Sequence, residues 1–172
     1  MSLTNRTSQR APRGGHELDA PPWLRVESTL MATANAIRDA YDDRLAGLDL
    51  NLSTASLLSY VADYGPVTQT RVAEHLGQGR AVTGTHIDKL QARGLVERRP
   101  DPDDRRVWLI AITDAGHELC ASIADVDQVL RSELRAGISR SERQALAHVL
   151  VRLQDNLNKS PDPSSTKEEP TP

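Results

Sequence analysis

Residues 66–116 constrain the fold most, because helix and strand periodicities alternate there in short, sharply punctuated segments. Residues 68–76 predict one helix and residues 80–93 a second, with Gly77-Gln78-Gly79 as the break. Residues 95–99 read as a strand, residues 100–105 as a charged turn, and residues 106–112 as the returning strand. Helix, tight turn, helix and two-stranded ribbon, in that order, make a winged helix-turn-helix, a module that presents its second helix to a DNA major groove.

The flanking segments are helical. Residues 23–45 carry apolar side chains at Leu24, Leu30, Ile37, Ala40, Tyr41 and Leu45, too narrow a stripe for a central core helix and suited to packing on another chain. Ser53 predicts the N-cap of a helix over 54–64, whose stripe is Leu57, Leu58, Val61 and Tyr64. Thr68 caps the first helix of the motif. In the second, either Val82 or Thr83 joins Ile87 and Leu90 on the inward face, and Gly94 ends the helix. Thr113 or Asp114 opens a helix with Leu119, Ile123, Val126 and Leu134, and Gly137 breaks it. Ser139 and Glu142 form a capping-box pattern before a last helix striped by Leu146, Val149, Leu150 and Leu153.

The expected fold class is mainly α with a small two-stranded β wing. The DNA-binding part spans about residues 53–113, and dimerisation helices span 22–47 and 114–158, within one domain of 22–158. Residues 1–21 and 159–172 are rich in Pro, Ser, Thr and charge without apolar periodicity, and predict disordered tails.

The net charge of −3 advertises no nucleic-acid partner, but its distribution does. Residues 67–112 hold eight cations against six anions, a net of +2 that leaves −5 for the rest. Cys120 is the single cysteine, which excludes an internal disulfide framework and fits a reducing cytoplasm. No apolar window approaches the roughly 18 residues of a membrane span, and no secretory h-region opens the chain. Enzyme chemistry finds no footing. Gly77-x-Gly79 lacks dinucleotide-loop spacing, the five histidines show no metal-ligand pattern, and there is no nucleophile elbow, so no catalytic residue, metal or cofactor is expected.

These residues resemble the MarR family of bacterial winged helix-turn-helix regulators. The likeness covers roughly residues 24–157. Its most specific part runs from Leu90 through Gly94-Leu95-Val96, Arg98, Asp104-Arg105-Arg106 and Thr113-x-x-Gly116. Leu48-x-Leu50-x-x-Ser53 and Gly65-Pro66-x-Thr68-Gln69 are similar to the family's entries to its second and third helices. The resemblance implies a repressor that binds a pseudo-palindromic operator as a homodimer. It places residues 80–93 in the major groove and residues 98–107 near a flanking minor groove. It also implies release by a small anionic or phenolic effector. One departure stands out: where the family often has Ser/Thr-x-x-Thr-Arg, this chain has Ala81-Val82-Thr83-Gly84-Thr85, with Thr85 in place of a base-reading arginine.

The candidate DNA contacts are Gln69, Thr70, Arg80, Ala81, Thr83, Gly84, Thr85, His86, Lys89, Arg98, Arg105 and Arg106. Arg80 and Lys89 suit phosphates, and Gln69 and Thr70 can offer a helix N-terminus to one. At least one of Arg105 and Arg106 reads as a minor-groove finger; the plainer alternative is a solvated hairpin of ion pairs worth about 0–1 kcal/mol each. His86 is either a base contact or a half-buried packing residue. Arg38, Tyr41 and Tyr60 are candidates for an effector pocket, against ordinary core and dimer packing. Cys120 reads as a core or semi-core residue, lacking the positive surroundings of a reactive thiol. Two further functions are compatible with the pattern: a helical dimer acting as a protein-interaction module with residual DNA affinity, and a small-molecule sequestering protein.

Overall fold

The computed structural model describes Pro21 and residues 25–159; the expected tails lie almost wholly outside the described residues. The chain divides into two units, one through Leu130 and one from Arg131 onward.

In the first unit, α1 (Val26–Leu45) passes into a 3-10 turn, Ala46–Leu48. Asp49 then takes a left-handed conformation (φ 54°), open to a short polar side chain, and redirects the chain into α2 (Leu52–Tyr64). The α2 cap is Asn51, two residues before the expected Ser53. Its Oδ1 accepts from Thr54 N–H at 2.9 Å, while Thr54 Oγ1 accepts from Asn51 N–H at 3.0 Å. Threonine closes this capping box in place of the usual Glu or Gln, which hides it from a pattern search. Leu57, Leu58 and Val61 are fully buried as expected, but Tyr64 is 62% exposed and Tyr60 takes the inward place.

The sheet has three strands, not two. β1 (Val67–Thr68) pairs antiparallel with β3 (Trp108–Ile112), as does β2 (Val96–Pro100), in the order β1-β3-β2. A two-residue strand shows no alternation, so nothing in its sequence announces it. β3 is therefore central, and Ile110 and Ala111, neighbours on its opposite faces, are both buried. Pro100 ends edge strand β2, where its missing N–H interrupts no central ladder.

Between β1 and β2 lie α3 (Gln69–Leu76) and α4 (Arg80–Ala92). Thr68 Oγ1 caps α3 by accepting from Arg71 N–H. Thr83, Ile87 and Leu90 form the inward face of α4, so Thr83 and not Val82 joins the core. Gly94 (φ 70°) closes the helix: its N–H donates to Gln91 O at 2.9 Å and Leu95 N–H to Leu90 O at 3.0 Å, the paired bonds of a Schellman end. Just before it, Arg93 reaches back, Nη1 donating to Asp49 O at 2.6 Å and Nη2 to Leu48 O at 2.9 Å.

α5 (Asp114–Leu134) starts where β3 ends. Thr113 supplies its cap: Oγ1 accepts from Gly116 N–H at 3.1 Å and donates to Gly94 O at 2.7 Å. A Cβ on Gly116 would lie 2.2 Å from Leu95 O and 2.6 Å from Ile112 Cγ1. The Thr-x-x-Gly motif thus has a physical reason: the threonine ties the helix start to the α4 end, and only glycine allows the backbone that close. In the second unit, Gly137 (φ 75°) turns the chain into α6 (Arg140–Lys159). The Ser139–Glu142 box forms as read, with Ser139 N–H donating to Glu142 Oε2 at 2.8 Å, and these bonds hold the Glu142 carboxyl below its ordinary range. None of α6 is buried; Leu146 is 56% and Leu157 75% exposed.

Gly116→Ala is expected to destabilise the protein by about 1–3 kcal/mol through overpacking against Leu95 O. Urea denaturation measures it, with Gly47→Ala, where a Cβ meets nothing within 4 Å, as the control.

Candidate nucleic-acid interface

Besides sharing the apolar core, α3 and α4 are tied at their heads by one side chain. Gln69 Nε2, at the start of α3, donates to Arg80 O at the start of α4 at 2.9 Å. Gly84 makes room for it, since a Cβ there would lie 3.0 Å from Gln69 Nε2. The α4 N-cap is Gly79, which has no side chain to accept from the first-turn N–H groups. Those donors and the positive end of the helix dipole stay open beside exposed Arg80, an arrangement that receives an anion.

The outer arc of α4 presents Ala81, Val82, Thr85 and Lys89, all exposed. Gly84 and His86 are half-buried on its flanks, and so is Thr70 on α3. Two expected contacts are placed elsewhere. Thr83 is fully buried with Oγ1 donating to Gly79 O at 3.2 Å, because its position on the 3.6-residue period coincides with Ile87 and Leu90. Arg98 turns its guanidinium onto α4, Nη2 meeting Asp88 Oδ1 at 2.6 Å and Nη1 donating to Gln91 Oε1. It links wing and helix and neutralises the acidic side chain on the exposed side of α4.

Arg105 and Arg106 sit exposed at the tip between β2 and β3. The neighbouring aspartates serve the loop backbone: Asp101 Oδ1 accepts from Asp103 N–H at 2.8 Å, and Asp104 Oδ1 from Arg106 N–H at 3.0 Å. Asp104 therefore orients the main chain of Arg106, not the guanidinium pair, and neither guanidinium is ion-paired among the described residues. Together with Arg71, Arg80 and Lys89 these arginines give the module an outward positive charge.

His86 Nδ1 is buried without a hydrogen-bond partner among the described residues. Burial, and secondarily Lys89, push its imidazole below the ordinary 6.5. It is neutral near neutral pH and half packed into the domain.

A second feature is a cleft of about 610 Å³ lined by α1, α2, α3 and α5. Tyr41 and Tyr60 line it as expected; Arg38 is exposed and does not. Tyr41 Oη donates to Asp127 Oδ1 at 2.7 Å, and the Tyr60 ring stacks on His75 with centroids 3.9 Å apart. Asp63 and Asp127 are carboxylates on its wall, and the lining has no lysine or arginine. Cys120 also lines it; burial and then Asp63 push its thiol up, away from reactive thiolate character. Sequence reasoning missed Asp63, His75 and Asp127 because the cleft draws on four helices, and no local pattern joins them.

A family model described as MarR family matches residues 48–107, from the α1–α2 corner to the wing. The chain is 29% identical over 157 residues to the HTH-type transcriptional repressor NicR of Pseudomonas putida, covering 87% of this chain and 96% of the relative. It is 28% identical over 109 residues to the HTH-type transcriptional regulator YdgJ of Bacillus subtilis (strain 168), covering 63% of this chain and 66% of that relative. Among solved structures, BpsR of Bordetella bronchiseptica, whose DNA binding is regulated by 6-hydroxynicotinic acid, matches with a TM-score of 0.73 and 20% identity over 79% of this chain and 97% of its own.

Because the folded-state value of His86 is depressed, unfolded chains take up its proton first on acidification. Its contribution to stability is complete above 6.5, falls as pH drops below that value, and levels off below the folded-state value. An NMR titration is expected to place the His86 midpoint below 6.5, and His86→Gln to flatten that part of the stability–pH curve. A midpoint at or above 6.5 contradicts the assignment.

Proposed function

Because this chain belongs to the MarR family of winged helix-turn-helix transcriptional regulators, we propose that it is a bacterial, cytoplasmic repressor that binds a pseudo-palindromic operator as a homodimer and is released by a small molecule. One observation carries the DNA reading: the open N-terminus and exposed arc of α4 lie beside Arg80 and Lys89, which have no ion-pair partner among the described residues, while Asp88 is neutralised by Arg98. Each protomer inserts α4 into a major groove, with Arg80, Lys89 and the α3 N-terminus at Gln69 and Thr70 on phosphates. The wing tip brings Arg105 and Arg106 to the flanking minor groove, whose negative potential favours arginine.

The dimer reading rests on exposed apolar side chains. Leu146, Val149, Val151 and Leu157 on α6, and Val26 and Met31 on α1, need cover, and an isologous contact with a second copy provides it. Helices within 22–47 and 114–158 then form the dimerisation part and residues 53–113 the DNA-binding part.

The effector reading rests on the cleft, and on the effector-regulated DNA binding of BpsR carried over to this chain. Asp63 and Asp127 disfavour a carboxylate in the cleft, whereas a neutral phenol can donate to either. Tyr60 provides the route of release. It lines the cleft and stacks on His75 of α3, and α3 holds the first carbonyl of α4 through Gln69. An occupant that displaces Tyr60 shifts the helix that reads DNA.

Selection from random DNA duplexes, followed by fluorescence anisotropy at varied salt, tests the proposal. One site is expected to be enriched, with affinity falling steeply with salt as counterions are released. Arg105→Ala and Arg106→Ala are each expected to weaken binding and to reduce the log–log salt slope by about 1 for each phosphate no longer neutralised. Recovery of no preferred site, with wing variants behaving as wild type, overturns the proposal in favour of a protein-interaction module.

A further inference from the structure

On and beside the part of α4 that faces outward, the amide, carboxylate and hydroxyl side chains suited to reading bases are already engaged, and His86 lies half-buried on the flank. A glutamine can grip adenine through two hydrogen bonds, but both nearby glutamines are held: Gln69 Nε2 donates to Arg80 O, and Gln91 Oε1 accepts from Arg98. Asp88, which could accept from a cytosine amino group, is bound to Arg98. Thr85 Oγ1 donates to Ala81 O at 3.2 Å, turning its hydrogen onto its own helix. Between Arg80 and Lys89 the outermost groups are methyls: those of Ala81, of Thr85 one turn later, and of Val82 beside them, 51% exposed.

Resting on the reading of α4 as the major-groove helix, we infer that this protein recognises its half-site through thymine C5-methyl groups, packed against Ala81, Val82 and Thr85. The thymine methyl is the one apolar feature that base pairs show in the major groove, and alanine and threonine methyls are its natural neighbours. The same surface rejects guanine and cytosine. Their polar edges, pressed against methyl groups, would lose water without gaining a partner. Arg80 and Lys89, at either end of the methyl patch, hold phosphates and set the register.

The test uses the duplex enriched by random-site selection with the full chain. Each thymidine is replaced in turn by deoxyuridine, which keeps every hydrogen bond and removes only the methyl. At one or more half-site positions, affinity is expected to fall about fourfold per methyl, the size expected for one buried carbon. In Val82→Ala or Thr85→Ser the penalty for the matching thymidine is expected to vanish, while the salt dependence stays unchanged. If every deoxyuridine duplex binds like the parent, the methyl reading is overturned while DNA recognition stands. Loss of affinity only on replacing guanine by 7-deazaguanine also overturns it, pointing to Arg80 as a guanine reader. Selection of no site at all overturns both readings together.

Discussion

The face of α2 that carries Leu57, Leu58 and Val61 is shut off from water, and α3, α4 and β3 all pack against this helix. Val72, Ile87, Leu90 and Ile110 belong to the same dry cluster. Full burial of side chains of this size contributes about 1.5–3 kcal/mol each, so this contact outweighs any polar interaction at the surface. It also fixes orientation. With Thr83, Ile87 and Leu90 drawn inward, the opposite arc of α4 has to face out, and the candidate DNA surface follows from the core.

Polar groups then decide what that surface offers. The Arg98–Asp88 pair is solvent-accessible, and such pairs are worth about 0–1 kcal/mol, too little to hold the wing in place. Its larger effect is on the field: it cancels an anion where phosphates would approach. The aspartates of the wing loop act in a related way. By accepting main-chain N–H groups, Asp101 and Asp104 shape the turn and leave the neighbouring guanidiniums outward.

Much of this was legible where the cause is local. Thr113-x-x-Gly116, Ser139-x-x-Glu142 and the Gly94 helix end each involve residues a few positions apart, and each forms as read. Features that depend on helix rotation or distant partners were not legible. Val82 and Thr83 are both β-branched neighbours at the edge of the inward face, and only packing decides between them. β1 exists because β3 offers it an edge, and Asn51 displaces Ser53 because Thr54 closes the box. Arg98 looks like one more wing cation until the fold brings Asp88 beside it. The cleft is the extreme case: Tyr41 and Asp127 meet across 86 positions of sequence.

Arg93 has a mechanical consequence. Its two hydrogen bonds fasten the last turn of α4 to the carbonyls of Leu48 and Asp49, while Gln69 fastens the first residue. The helix is a beam resting on two supports that belong to different parts of the fold, the α1–α2 corner and the head of α3. It cannot slide along its axis without breaking one of them. Displacement of either support tilts the beam and re-aims its whole outer arc.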